Sequence, residues 1–339
     1  MAKAEIYQIF YSEQTRARVD PGFIALDNLS NERPDWREYW PVRNYLLNHT
    51  LEPNTFYGFF SSKFGLKTQL NSAAVYALID ANGADVDVIT FSPFLAHIAL
   101  YLNIIEQAIA CHGIPDTFKQ CAALVAPEFR VDRCVMSSLN TVFCNFFVAK
   151  REFWNEWFRQ AERLFAIAEQ GTTALGRALN AIVSYVVAVP EKSSGDTVEH
   201  SRTRLCAIPD VPAKVFVIER LASLLLWSNR NWRVKSLNHM TGSRDSTPAP
   251  EHLMLNALKL GYAQTGAEPY LDVFRQLRLQ IASRHAQATH QAPAGPTARN
   301  GATPGAVTPR AASAPSKGRS TAGSASACGE SPNVCAIRE

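Results

Sequence analysis

Directly after the apolar run Phe23–Leu26, the sequence reads DNLSNERPDWREYWP from Asp27 to Pro41. Asp27, Asn28, Arg33, Asp35, Arg37 and Glu38 gather both signs of charge beside Trp36 and Trp40. Arginine forks suit phosphate, because two parallel charge-assisted hydrogen bonds match its planar geometry. Carboxylates suit sugar hydroxyls or a divalent cation. Asp35 and Glu38 are candidate general bases. A competing reading makes the loop self-satisfied, with Asp27 and Asn28 in an Asx turn and Asp35 capping the next helix.

Further groups lie downstream. Lys63 and Lys67 follow the aromatic run Tyr57–Phe60, where Gly58 marks a close approach of backbone or ligand. Asp85 and Asp87 form a D-x-D pair, the spacing that would hold Mn²⁺ or Mg²⁺, but they precede the apolar run Val88–Phe91 instead of following it. That is the wrong end of a strand for a ligand crevice, so a metal cofactor stays unassigned. Glu106 shares a helix face with Asn103 and is a candidate base or sugar ligand, with His112 at the end of the same helix. Asn145 is expected on one strand face with Phe143 and Phe147, as a ligand group or a structural bridge. Glu219 and Arg220 interrupt an apolar helix; adjacent residues do not face one another, so each needs its own partner. A site role for Glu219 and a clamp by Arg220 both fit. No nucleophile elbow, Walker loop or G-x-G-x-x-G occurs.

The elements that would position these groups alternate. Strands are expected at Glu5–Ser12, Phe23–Asn28, within Thr55–Phe64, at Val86–Pro93 and at Thr141–Lys150. Helices are expected at Arg37–Leu51, Asn71–Asn82, Asn103–Gly113, Arg151–Gln170, Lys214–Trp227 and Pro269–His285. In Arg151–Gln170, Phe153, Trp154, Trp157, Phe158, Ala161, Leu164, Phe165 and Ala168 recur on one stripe. Alternation of this kind predicts an α/β layered sheet with ligands beyond the carboxyl ends of its strands.

With 339 residues, of which 47% are hydrophobic, the chain can bury a large core. The expected organisation is one domain over residues 1–285 and a disordered Ala/Pro/Gly/Ser-rich tail over 286–339, which lacks any apolar period. A net charge of +4 gives no basic surface of the kind nucleic acid requires, so no nucleic-acid partner is expected. The seven cysteines are scattered, without a C-x-x-C pair, and read as reduced. No leader or membrane-spanning run is read, so the expected location is cytoplasmic, with room for peripheral contact at the inner membrane.

Three blocks in order carry a family resemblance: YGFFSSKFGLKT, TVFCNFFVAKREFWNEWFRQAERLF and VFVIERLASLLL. With LDNLSNERPDWREYWPVRNYLL they are similar to bacterial capsule and lipopolysaccharide glycosyltransferase-like proteins of the GT-A type, in a poorly characterised branch. The resemblance covers roughly Ile6 to Trp232. It implies a GT-A-like (Rossmann-like) mixed sheet flanked by helices. It also implies a nucleotide-sugar donor and a glycan or lipid-linked acceptor. The motif positions that would bind substrate are Asp27, Asn28, Lys63, Asn145, Glu219 and Arg220. The missing D-x-D after an apolar strand departs from the pattern. Without metal, Arg33, Arg37, Lys63 or Lys67 would balance the leaving diphosphate. In an inverting reaction Asp35, Glu38 or Glu106 would act as base. A catalytically inactive glycan-binding protein and an interaction scaffold are the alternatives.

Overall fold

Alternation along Ala4–Phe10 buries Ile6 on one side of a strand and Tyr7 and Ile9 on the other. A strand apolar on both faces must be covered on both, and this one lies inside a sheet. The computed structural model describes residues 2–190, 203–237 and 249–290. The strands in chain order are β1 Ala4–Phe10, β2 Ile24–Asp27, β3 Phe56–Phe60, β4 Val88–Thr90, β5 Phe147–Lys150, β6 Ile182–Pro190, β7 Thr203–Pro212 and β8 Val234–Ser236. The helices are α1 Glu13–Arg16, α2 Tyr39–Asn48, α3 Phe64–Thr68, α4 Ser72–Asn82, α5 Leu95–Leu100, α6 Ile104–His112, α7 Pro115–Val125, α8 Arg151–Gln170, α9 Ala174–Asn180, α10 Ala213–Ser228, α11 Pro250–Thr265 and α12 Glu268–His290. A 3₁₀ turn, Pro34–Trp36, precedes α2.

The sheet has six strands in the order β2-β1-β3-β5-β4-β8. Strand β5 runs antiparallel to both neighbours, and every other pair is parallel. The fold is therefore α/β with a mixed sheet flanked by helices. On one face Tyr7, Ile9, Tyr57, Phe59 and Phe147 pack against residues of α2, α8 and α10. On the other, Ile6, Phe56, Phe60 and Val148 meet Phe64, Val75 and Ile79 from α3 and α4. Gly58 resolves as packing: a Cβ there would stand 2.7 Å from Val148 Cγ1. The chain divides into two compact units with a boundary between Arg278 and Leu279. The described part of the second is the remainder of α12.

Local chemistry explains the helix ends. Asn71 caps α4 through the Ala74 amide and Asn103 caps α6 through the Ile105 and Glu106 amides. Gly113 and Gly171 close α6 and α8 in the left-handed region. Of the α8 stripe, Phe153, Trp154, Trp157, Ala161, Leu164 and Ala168 are enclosed, while Phe158 and Phe165 at its edge are half-buried.

Several expectations are corrected. The strand expected over Thr141–Lys150 begins only at Phe147, because Cys144 and Asn145 take φ of 60° and 52° and turn the chain. Asn145 is thus in a turn and does not share a strand face with Phe143 and Phe147. Asn103 caps α6 and is not within it. The apolar run before Asp27 forms an exposed edge strand, since no described strand pairs with its outer side. The β6–β7 ribbon, antiparallel from Ile182↔Pro212 to Pro190↔Thr203, went unread because pairing partners across a long connection leave no local signal. Helix α12 runs to His290, past the expected boundary at 286, and the tail over 291–339 lies outside the described residues.

Candidate functional site

Three parallel strands finish side by side. Strand β1 leads into Tyr11, β2 into Asn28 and β3 into Ser61, Ser62 and Lys63. Beyond them opens a cleft of about 340 Å³, within the usual range for small-molecule sites. Its position obeys the rule that ligands of open α/β sheets sit at carboxyl strand ends.

The charged stretch supplies one wall. Asn31, Trp36, Arg37, Glu38 and Tyr39 all line the cleft. Lys63 and Lys67 come from the β3–α3 connection and α3. Cys144 and Asn145 come from the turn before β5, Trp154 and Trp157 from α8, and Phe216 and Glu219 from α10. Among the sequence candidates, the structure therefore brings Asn28, Arg37, Glu38, Lys63, Lys67, Asn145 and Glu219 to one place.

Their electrostatics divide them. Arg37, Glu38 and Lys63 are exposed and make no ion pair among the described residues. Lys67 Nζ donates to Cys144 Sγ at 3.2 Å and lies 5.1 Å from the Phe94 ring centre. Burial, with the Glu219 carboxylate nearby, pushes the Cys144 thiol up to about 12, so it stays protonated. Glu219 Oε1 accepts the Cys144 amide at 2.8 Å, fixing the turn that carries Asn145. Strain gathers here. Asn31, Arg37, Cys144 and Asn145 all have φ between 40° and 60° without being glycine, a conformation that costs free energy unless its surroundings enforce it.

Other candidates lie elsewhere. Asp27 accepts the Leu29 amide at 2.8 Å in the anticipated Asx turn. Arg33 makes two hydrogen bonds each with Asp35 and Glu169 and covers the Trp40 ring. Asp35 caps no helix. It accepts Lys214 Nζ at 2.5 Å, and Lys214 is itself buried and also bonded to Asn180. Burial opposes ionisation of Asp35, yet Arg33 and Lys214 outweigh it and hold the carboxyl near 2. Glu106, at the start of α6, accepts the Leu102 amide and pairs with Arg278 at 2.8 Å, outside the cleft.

Arg220 is enclosed at 2% exposure. It donates to the Phe216 carbonyl at 2.8 Å and Gln107 at 2.9 Å, and lies 3.2 Å from His112 Nε2. It also contacts Glu219 at 3.3 Å. The adjacent pair does touch, contrary to expectation, because the guanidinium folds back along its own helix. Burial and then Arg220 lower the His112 imidazole to about 2, so it is neutral. Asp87, at the opposite end of the sheet, is held by three hydrogen bonds from Arg233. Among the described residues no three His, Cys, Asp or Glu side chains gather at metal-holding spacing. The cleft itself offers two carboxylates, Glu38 and Glu219, with Glu219 already engaged. That set does not fit a divalent-cation centre.

Sequence reasoning missed the residues that hold the charged stretch in place. Tyr39 and Arg43 both donate to Glu162, and the Trp36 indole donates to Glu169. Glu162 and Glu169 lie two turns apart on α8, a phase visible in the sequence. Lys214 carried a signal too, since it sits in register with Ile218, Leu221 and Leu225 on a buried stripe.

No protein-family model, curated protein or solved structure matches this chain. No described helix is long and apolar enough to cross a membrane.

Proposed function

We propose that the chain is a glycosyltransferase that moves a sugar from a nucleotide-sugar donor to a surface-polysaccharide or lipid-linked acceptor. One observation carries the reading: Arg37, Lys63 and Lys67 converge with Glu38 and an aromatic wall in a single cleft at the carboxyl ends of β1, β2 and β3. The three cations face the diphosphate of the donor. They stabilise negative charge as the anomeric C–O bond breaks and the nucleotide leaves, a role that fixed cations fill without moving. Glu38 is the carboxylate at the cleft without an ion-pair partner among the described residues, and it takes the proton of the attacking acceptor hydroxyl. Asp35 and Glu106 are committed to ion pairs and hold the fold.

A binding protein without turnover is the second reading, favoured by the single remaining base candidate. Thermal-shift titration with UDP-, GDP-, CMP- and dTDP-sugars, with and without Mn²⁺, tests the binding common to both. A ligand at about a hundred times its Kd should add about 2.7 kcal/mol of stability. Release of free nucleotide from that donor, abolished in Glu38→Gln while binding persists, identifies the enzyme. A flat screen rejects both readings.

A further inference from the structure

Three indoles are fully enclosed in the first unit: Trp36, Trp154 and Trp157. Two of them are satisfied. Trp36 donates to Glu169 at 2.9 Å, and Trp154 donates to the Tyr57 carbonyl at 2.9 Å. Trp157 is 1% exposed, and its buried Nε1–H has no acceptor within hydrogen-bond reach among the described residues. It lines the cleft one turn along α8 from Trp154, with the Tyr39 ring 5.9 Å away.

A second orphan stands on the same cleft. Asn145 Oδ1 is buried and accepts no hydrogen bond from any described residue. Its turn is fixed by the Cys144 amide on Glu219 and by the Phe147 amide on the Asn145 carbonyl at 3.0 Å. Buried polar atoms are nearly always paired in folded proteins, and each exception asks what pairs with it. Here one orphan is a donor and the other an acceptor, and the two residues that carry them line the cleft where the cations converge.

We propose that Trp157 and Asn145 are the sugar-reading residues of the cleft, donating to and accepting from hydroxyl groups of the donor sugar. The inference rests on the nucleotide-sugar reading and names how the sugar is distinguished from the nucleotide. The chemistry selects the hydroxyl. A phosphate presents only acceptors at its charged oxygens and so cannot satisfy Asn145 Oδ1, whereas a hydroxyl donates and accepts. A sugar also offers an apolar ring face to the Tyr39 and Trp157 side chains. Arg37, Lys63 and Lys67 remain for the charged part. Sites that reserve buried groups for a substrate hydroxyl reject ligands lacking it, because the groups are then left unpaired.

Calorimetric titration of the full-length chain tests this. The probes are UDP-glucose, GDP-mannose, dTDP-glucose and CMP-N-acetylneuraminate, each against the same nucleotide without its sugar. For the donor that binds, the wild type should prefer it over the bare nucleotide by about tenfold or more. Trp157→Phe removes the N–H and keeps an aromatic ring. Asn145→Gly removes the oxygen, and glycine accepts the φ of 52°. Each variant should lose most of that preference, while affinity for the bare nucleotide stays within about twofold of wild type, well under the tenfold that 1.4 kcal/mol represents. Variants that keep the preference overturn the proposal, as does loss of sugar and bare nucleotide together, which marks a structural role. A wild type that binds nucleotide but ignores the sugar also overturns it and leaves nucleotide binding standing. If no probe binds, the nucleotide-sugar reading itself falls. Asn145→Gly decides the matter alone should Trp157→Phe not fold.

Discussion

Arg33 and Asp35 are chemically the same pair as Arg37 and Glu38, one turn further along the chain, and their fates are opposite. The first pair is locked. Arg33 bridges Asp35 and Glu169, and Asp35 in turn holds the buried Lys214. The second pair lines the cleft without an ion-pair partner among the described residues, and Arg37 adopts φ 49° to do so. Charge density in a sequence therefore does not tell a clamp from a site. The difference is made by α8 and α10, which bring Glu169 and Lys214 to one pair and nothing to the other. One half of the stretch is fastened so that the other half can be presented.

The comparison can be broken from the clamp side, where effects are largest. Asp35→Ala leaves Lys214 enclosed over the Trp36 ring with the Asn180 amide as its remaining hydrogen-bond partner among the described residues and should cost about 2–3 kcal/mol in urea unfolding, below a fully buried pair because Asp35 is a third exposed. Lys214→Met should cost less, since the carboxylate keeps Arg33 and reaches water. Equal losses would contradict the clamp. From the cleft side, Arg37→Ala should weaken binding of the nucleotide-sugar probe by about tenfold, 1.4 kcal/mol, with stability unchanged within about 0.5 kcal/mol. Arg37→Gly should weaken binding equally but raise stability by about 1 kcal/mol, because the left-handed backbone is relieved. The smallest effect belongs to Asp85→Ala, which should alter neither stability beyond about 0.5 kcal/mol nor the response to Mn²⁺.

Acid unfolding sharpens the same contrast. Asp35 is near 2 when folded against about 3.9 unfolded. Its contribution is complete above about pH 4 and is lost as pH falls from about 4 to 2. Solvent screening limits it to about 1–2 kcal/mol. Burial, then Arg220, lowers His97 to about 4 and His112 to about 2. The unfolded histidines bind protons from about 6.5 downward, so stability should fall first between about pH 6.5 and 4. In Asp35→Ala the fall between about pH 4 and 2 should become shallower, with the slope from His112 left in place, and the upper limb should remain. Denaturant midpoints across pH 7 to 2 check both limbs.

The alternation of strand and helix was legible in the sequence because period-2 and period-3.6 apolar patterns are local. Asn71 and Gly113, the expected ends of two helices, stand at the cap positions of α4 and α6. A cleft opens after β2, where the alternation of strand and helix puts the carboxyl ends of the strands, and Asn28, Arg37 and Glu38 line it. The strand assigned to Asn145 failed because two left-handed residues interrupt a pattern that looks continuous in composition. Trp157 was read as one more apolar residue of its stripe, and no sequence signal separates it from Trp154. That distinction depends on the Tyr57 carbonyl, 97 positions away from Trp154.

By itself the sequence determined which segments pair their backbones locally and which surfaces must be buried, since both follow from neighbours a few residues apart. Tertiary structure alone decided which charges are neutralised and which polar atoms are left unpaired. A hydrogen bond or ion pair is made within about 3 Å, and only the folded chain sets which distant residues come that close.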